Sequence, residues 1–135
     1  MCDALRKEGI KATLILDSAV GYLMERIDMV VVGAEGVMET GGIINKIGTL
    51  NVAICAKTMN KAVFVMAESI KFVKEYPLNQ ADIPEEFKYR TSVLEKGDLS
   101  VEHPMVDYTP PQVCCLFRTW KSFHYKLLRC FHFAK

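Results

Sequence analysis

The amino-acid sequence predicts an α/β fold, a parallel sheet with flanking helices. Three short apolar runs, 12–16, 29–32 and 62–66, have the length and the β-branched content of strands that are buried on both faces. Segments with the three- and four-residue apolar spacing of helices separate these runs. This alternation within about 55 residues is the order that two right-handed crossovers in one parallel sheet produce.

Two helices are predicted between these strands. The first begins at Asp17 and Ser18, whose side-chain oxygens can accept from the free N–H groups of a first turn, and it continues to about Arg26. The second begins between Asn45 and Thr49 and continues to about Met59. Short helices of this kind cover the faces of a parallel sheet.

Composition predicts one domain of ordinary size. The 135 residues are 50% hydrophobic and 24% charged, and the formal net charge of +1 gives no sign of a nucleic-acid partner. No apolar run approaches the roughly 18 residues of a membrane span, and the first residues lack the apolar core of a secretory signal. Five cysteines without framework spacing favour a reducing cytosol.

Both ends of the chain depart from the α/β pattern. Residues 3–8 predict the last turns of a helix that Gly9 closes, which indicates further sequence upstream. Five of the 17 basic residues and none of the 16 acidic residues fall in 113–135. If this segment is helical, its apolar spacing makes it amphipathic, and covering the domain's own open face is favoured over docking on a membrane or a partner. We therefore predict a domain of residues 1–112 and a divergent basic amphipathic tail of residues 113–135.

Five glycines occur within sixteen residues after the second strand, and Glu35, Glu39, Asn45 and Lys46 lie among them. This density indicates left-handed turns or backbone that lies close against something. Open α/β sheets bind ligands where their strands end, and Asp17 follows another strand end. An amide, an ammonium and loop N–H groups suit a phosphate, and carboxylates suit sugar hydroxyls. Alternatively, Asp17 only caps a helix and the glycines only form turns.

Other chemistry is less well supported by the residues. Glu35 could act as a general acid or base, but Cys55, the nearest candidate nucleophile, falls on a predicted helix and suits a buried thiol better. The G-x-G-x-x-G and G-K-[ST] spacings are absent, which disfavours nucleotide binding. The cysteines and histidines of the tail lack zinc-site spacing. The sequence thus predicts no metal and no cofactor, and it leaves an acid or base role for Glu35 open.

The run from Gly33 to Thr49, GAEGVMETGGIINKIGT, resembles the signature of one protein family. This family comprises the alpha, beta and delta regulatory subunits of eukaryotic translation initiation factor 2B, methylthioribose-1-phosphate isomerase and ribose-1,5-bisphosphate isomerase. Stretches at 65–72, 77–80 and 106–110 resemble the alpha-subunit branch in particular. The resemblance implies a Rossmann-like α/β domain, which in the family follows a helical N-terminal domain.

The resemblance also implies a function. The expected protein is a non-catalytic regulatory subunit, or a fragment of one, in a cytosolic guanine-nucleotide exchange complex. It is expected to form a homodimer, to contact the other subunits of initiation factor 2B, and to reach initiation factor 2 through that complex. The family domain that meets phosphorylated initiation factor 2 precedes the matched region. No direct nucleic-acid or membrane contact is implied.

The isomerase members of the family use an Asp after the Gly-Ala of the motif, together with an upstream Cys. Here the Asp position is Glu35, and the upstream segment has no counterpart, so the resemblance implies that turnover is lost. A sugar-phosphate isomerase is the alternative function. The pair that contacts the sugar phosphate is retained as Asn45 and Lys46, and Asp17 aligns with the pocket wall. The predicted sugar-phosphate ligands are therefore Asp17, Glu35, Asn45 and Lys46.

The family continues after residue 110 with an apolar strand and a closing helix. Residues 113–135 show neither and look like an alternative or out-of-frame ending. The resemblance therefore implies a sheet that is incomplete at its C-terminal end, with an unpaired edge.

Overall fold

The computed structural model describes residues 2–84, 87, 104–113, 116–118 and 130–133, the last two ranges by their backbone only. Its α-helices are α1 Cys2–Lys7, α2 Val20–Leu23 and α3 Thr49–Thr58. Its strands are β1 Met29–Val32, β2 Gly36–Met38, β3 Ile43–Lys46, β4 Ala62–Met66, β5 Phe72–Val73, β6 Val106–Thr109, β7 Leu116–Arg118 and β8 Cys130–Phe133. Single 3₁₀ turns are Asp17–Ala19, Met24–Arg26, Ser69–Lys71 and Gln80–Asp82. In the part of the chain described, every helix is too short or too polar to cross a membrane.

The first sheet is parallel throughout and has the strand order β7-β4-β1-β8. Strands β1 and β4 form its centre, with Met29 opposite Ala62 and Val32 opposite Val65. Helix α3 packs on both of these strands and belongs to the crossover between them. The α/β fold class is confirmed, and so are the predicted strands at 29–32 and 62–66.

A second, mixed sheet has the order β5-β2-β3-β6, and its strands β2 and β3 lie between β1 and α3 in the chain. Strands β2 and β3 form an antiparallel hairpin, and β6 returns from later in the chain to pair antiparallel with β3. Much of the predicted glycine loop is therefore this hairpin. Its turn uses Gly41 at a φ of +87°, with the Gly41 N–H donating to the Met38 carbonyl at 2.9 Å. Glycine reaches this left-handed conformation without the steric cost of a side chain.

Two clusters of buried side chains lie on opposite faces of the second sheet. The neighbours Val37 and Met38 on β2 belong to different clusters, as strand alternation requires. The larger cluster joins β1, β4, α3 and the helical segment at Val20, Met24, Val30, Val32, Ala34, Val37, Ile43, Val52, Ala56, Val63 and Val65. The smaller cluster consists of Met38, Ile44, Ile83, Val106 and Tyr108. The hairpin is thus held from both sides, which makes it a firm support for the residues that follow it.

The predicted strand at 12–16 is wrong, because these residues have no regular secondary structure. Leu14 and Leu16 are 81% and 75% exposed. An apolar run becomes a strand only where a neighbouring strand accepts its hydrogen bonds. The two sides of β1 are already occupied by β4 and β8.

The predicted helix at 17–26 forms as one turn of α-helix between two 3₁₀ turns. Its N-cap position is Leu16, and no side chain caps it, so the prediction that Asp17 caps this helix is wrong. Val20 and Met24 are buried as the apolar spacing predicted. The helix predicted to begin between Asn45 and Thr49 is confirmed as α3, which begins at Thr49.

The described parts of the tail are strands rather than helix. Strand β7 pairs in parallel with β4, and β8 pairs in parallel with β1, so the edges of both central strands are filled. The expected unpaired edge is therefore wrong for β1 and β4, because main-chain hydrogen bonds to the sheet outweigh a helical spacing of apolar residues. Residues 119–129 of the amphipathic pattern lie outside the described residues. The domain boundary at residue 112 stays a prediction.

Candidate functional site

The candidate site is the turn from β3 into α3, residues 45–49, which we call the β3–α3 corner. The chain turns at Gly48, whose φ of +101° strains any residue with a side chain. The Ile47 N–H donates to the Met105 carbonyl at 3.0 Å, which joins the corner to the segment before β6. A residue that is distant in the chain therefore helps to hold the corner in place.

Glu35 and Lys46 meet at this corner as an ion pair. Lys46 Nζ lies 2.6 Å from Glu35 Oε1, and their side chains are 26% and 33% exposed. The Glu35 N–H donates to the Ile44 carbonyl at 2.9 Å, so the acidic residue is held beside β3 by main chain as well. The structure brings together these two sequence-predicted residues, at a place that solvent and solutes can reach.

Asn45 has a different environment from its neighbour Lys46, because it is only 8% exposed. Its Nδ2 donates to Thr49 Oγ1 at 3.1 Å, and the Thr49 hydroxyl donates to the Lys46 carbonyl at 2.7 Å. The Asn45 amide thus holds the corner together through Thr49. The sequence predicts a ligand contact for this side chain, whereas the structure shows a contact within the protein.

Asp17 lies apart from the other predicted residues in its contacts. It is exposed at the start of the first 3₁₀ turn. Among the residues that the structure describes, no hydrogen bond or ion pair joins its side chain to Glu35, Asn45 or Lys46. The structure therefore links three of the four predicted residues and leaves Asp17 outside this network.

Asp107 also contacts the β3–α3 corner, although the sequence pattern does not predict it there. It stands opposite Asn45 in the β3–β6 register, and it is 4% exposed. Its Oδ2 accepts from the Gly48 N–H at 2.8 Å and from the Leu50 N–H at 3.1 Å. These N–H groups belong to the free N-terminal end of α3, so an anion nest formed by them is already filled by a carboxylate. The signal in the sequence is weak, because Asp107 is 59 residues from Gly48.

Burial raises the pKa of the Asp107 carboxyl, and N–H groups of Leu50, Gly48 and Thr49 act in the opposite direction by stabilising its charged form. Asp107 Oδ1 and Thr109 Oγ1 are both buried, and neither has a hydrogen-bond partner among the described residues. An ionisable group in this setting carries a desolvation cost that an apolar residue would avoid.

The Thr49 hydroxyl offers a direct test of this corner. Thr49→Val is expected to lower the free energy of unfolding by about 2 kcal/mol, because it strands the Asn45 amide and removes the donor to the Lys46 carbonyl. Thr58→Val on the same helix is the control. Its hydroxyl is exposed and donates only to the Ile54 carbonyl, so a change within about 0.5 kcal/mol is expected. Equal changes for both variants in urea denaturation would contradict the account of the corner.

Cys55 lies on α3, as the sequence predicts, and it is half-buried rather than fully buried. Within the described ranges, no group of three or more His, Cys, Asp or Glu side chains is placed to hold a metal ion. The cysteines and histidines of the tail lie outside the residues whose side chains are described.

Comparison with known proteins identifies relatives of this chain. The model of the Initiation factor 2 subunit family matches residues 1–119. Translation initiation factor eIF2B subunit alpha of Caenorhabditis elegans is 65% identical over 117 residues, which are 87% of this chain and 38% of that protein. Ribose 1,5-bisphosphate isomerase of Archaeoglobus fulgidus is 39% identical over 109 residues, which are 78% of this chain and 35% of that protein.

The fold also has solved counterparts. The crystal structure of translation initiation factor eIF-2B from Pyrococcus horikoshii matches with a TM-score of 0.69 at 21% identity, covering 85% of this chain and 40% of that one. This similarity supports the α/β fold described above. The chain spans less than half the length of the curated relatives that it matches.

Proposed function

The chain belongs to the Initiation factor 2 subunit family, and we propose that it acts as a non-catalytic regulatory subunit of translation initiation factor eIF2B. The 65% identity to an eIF2B subunit alpha supports this function over other roles in the family. The proposed partners are the other eIF2B subunits, a second copy of this chain and, through the complex, initiation factor 2. The proposed location is the cytosol, without direct contact to nucleic acid.

The β3–α3 corner is the proposed sugar-phosphate site of this subunit. The observation that carries it is the Glu35–Lys46 pair, 2.6 Å apart and about one-quarter to one-third exposed. A phosphate can replace the Glu35 carboxylate beside the Lys46 ammonium, because both are oxygen anions that accept from Nζ. The released carboxylate can then accept from sugar hydroxyls. Asn45 supports this arrangement through Thr49, whose hydroxyl accepts from Asn45 Nδ2 and donates to the Lys46 carbonyl. Asp17 is proposed as a residue of the pocket wall.

The residue types at the corner favour a binding function over turnover. The isomerases that this sequence resembles use an Asp where this chain has Glu35. Cys55, the candidate nucleophile, is half-buried on α3. A site that holds a phosphorylated sugar without converting it suits a subunit that senses a metabolite.

A sugar-phosphate isomerase is the second candidate. It is favoured by the 39% identity to ribose 1,5-bisphosphate isomerase of Archaeoglobus fulgidus and by a carboxylate that stands beside the proposed phosphate position. In this function Glu35 would move a proton of the bound sugar instead of only accepting from its hydroxyls.

Assembly and turnover experiments separate the two functions. The purified chain is expected to sediment as a dimer, to co-purify with the other eIF2B subunits, and to leave ribose 1,5-bisphosphate and methylthioribose 1-phosphate unconverted. Failure both to dimerise and to co-purify would refute the subunit function. Turnover that Glu35→Ala abolishes would establish the isomerase instead. A mixture of subunits without this chain and an assay without protein are the respective controls.

A further inference from the structure

We propose that Asp107 is the positioning residue of the sugar-phosphate site, which holds the β3–α3 corner in its binding geometry from the opposite strand. This inference rests on the proposed function of that corner. It concerns a residue that touches no ligand itself and acts through the main chain of Gly48 and Leu50.

The placement of Asp107 makes this action possible. Strand β6 runs antiparallel to β3, with Asp107 opposite Asn45 and Val106 opposite Lys46. Directly opposite residues of antiparallel strands share one face of the sheet. The carboxylate therefore stands on the same face as the Asn45 side chain, next to the point where β3 ends.

The hydrogen bonds of Asp107 replace an ordinary helix cap. The first N–H groups of an α-helix lack partners within the helix, and a side chain at the N-cap position commonly accepts from one of them. The N-cap position of α3 is Gly48, which has no side chain and a φ of +101°. The Asp107 carboxylate supplies the missing acceptor from 59 residues away, with bonds of 2.8 and 3.1 Å. A residue of β6 thus holds the first turn of α3 in position.

The contacts continue from this cap to the proposed ligand residues. Thr49 lies between the two capped N–H groups, and its hydroxyl donates to the Lys46 carbonyl and accepts from Asn45 Nδ2. A shift of the first turn of α3 must therefore move Thr49 and, with it, the main chain that carries Lys46. Binding sites lose affinity when their groups move by about 0.5 Å from the productive geometry.

The burial of Asp107 favours a specific role over simple packing. The residue is 4% exposed, and its Oδ1 has no hydrogen-bond partner among the described residues. An apolar residue of similar size would avoid this desolvation cost but could not accept from the corner. The buried carboxylate supplies acceptors that an apolar residue could not, and this favours a role in ordering the turn.

Affinity for ribose 5-phosphate, measured by isothermal titration calorimetry on the full chain, tests the proposal. Asp107→Ala is expected to weaken binding at least tenfold, whereas Asp107→Asn, which keeps an acceptor oxygen, is expected to stay within about threefold of the wild type. Thr58→Val is the matched control, since it removes an exposed hydroxyl of α3 that donates to the Ile54 carbonyl, away from the corner, and its affinity is expected to be unchanged. Wild-type affinity in Asp107→Ala, or an equal loss in Asp107→Asn, would overturn the proposal.

A second variant and a hydrogen-exchange measurement test the role of Asp107 if the first experiment fails. If Asp107→Ala does not fold, Asp107→Ser takes its place, because its shorter side chain cannot reach both N–H groups, and the same tenfold loss is expected. If the wild type does not bind ribose 5-phosphate, the proposed ligand class is refuted. Hydrogen exchange at the Gly48 and Leu50 amides then tests whether Asp107 caps α3. Faster exchange in Asp107→Ser than in Asp107→Asn supports the cap, and equal exchange refutes it.

Discussion

Gly42→Ala is expected to lower the free energy of unfolding by about 3 kcal/mol, at the upper end of the usual cost of overpacking a core. A Cβ atom at Gly42 would lie 2.5 Å from Oη and 2.7 Å from Cζ of Tyr108. Tyr108 is 3% exposed and packs in the smaller buried cluster, so its ring has little room to move. Urea denaturation measures the loss.

The main chain of Tyr108 is also fixed, which closes the other way of relieving the contact. The Gln80 side chain donates to the Tyr108 carbonyl at 2.7 Å and accepts from its N–H at 2.8 Å. Gly33→Ala is the matched control, because a Cβ there meets nothing within 4 Å. We expect its free energy of unfolding to stay within about 0.5 kcal/mol of the wild type. Similar values for the two variants would show that β6 does not pack against the hairpin as described.

Lys46→Ala is expected to weaken binding of ribose 5-phosphate by about 10- to 100-fold, which corresponds to one lost charge-assisted hydrogen bond. The fold should be retained, since the Lys46–Glu35 pair is partly exposed and such pairs contribute little to stability. Calorimetric titration of both proteins measures the difference.

Lys57→Ala is the control for charge. This lysine lies on α3, and its exposed ammonium donates to the Gln112 carbonyl at 2.6 Å, away from the β3–α3 corner in sequence. Its removal lowers the net charge by the same amount, so unchanged affinity is expected. Equal weakening by both variants would mean that phosphate binding depends on overall charge rather than on the corner.

The sequence predicts those elements whose local pattern agrees with their surroundings. The runs at 29–32 and 62–66 form strands, because each finds partners on both sides in the sheet. The equally apolar run at 12–16 finds none and stays irregular. Strand β1 already has β4 on one side and β8 on the other, so the run at 12–16 cannot pair with it. A local sequence pattern does not show which strands will become neighbours.

The hairpin β2–β3 illustrates a second limit. Its glycines predict a loop, yet Gly36 and Gly42 are buried where the side chains of other residues approach closely. Glycine density reports close approach without saying whether a ligand or the protein's own core approaches. Here Tyr108, distant in sequence, occupies the space above Gly42.

In the candidate site, too, contacts between residues close in the chain are predictable and contacts between distant residues are not. Glu35 and Lys46 could be placed together from the sequence because one short hairpin connects them, and the structure joins them at 2.6 Å. The role of Asp107 could not be predicted, because it depends on how β6 pairs with β3 across an intervening segment. The Asn45 amide was assigned to a ligand, whereas its contact with Thr49 follows from the turn geometry.

Chemical-shift mapping with ribose 5-phosphate on the ¹⁵N-labelled full chain tests the central proposal most directly. The largest amide shifts are expected at Glu35, Lys46 and Gly48, with smaller shifts elsewhere and none of these shifts with unphosphorylated ribose. The shifts should be absent in Lys46→Ala and retained in Lys57→Ala. No shifts at the β3–α3 corner, or shifts of the same size with ribose, would contradict the proposal.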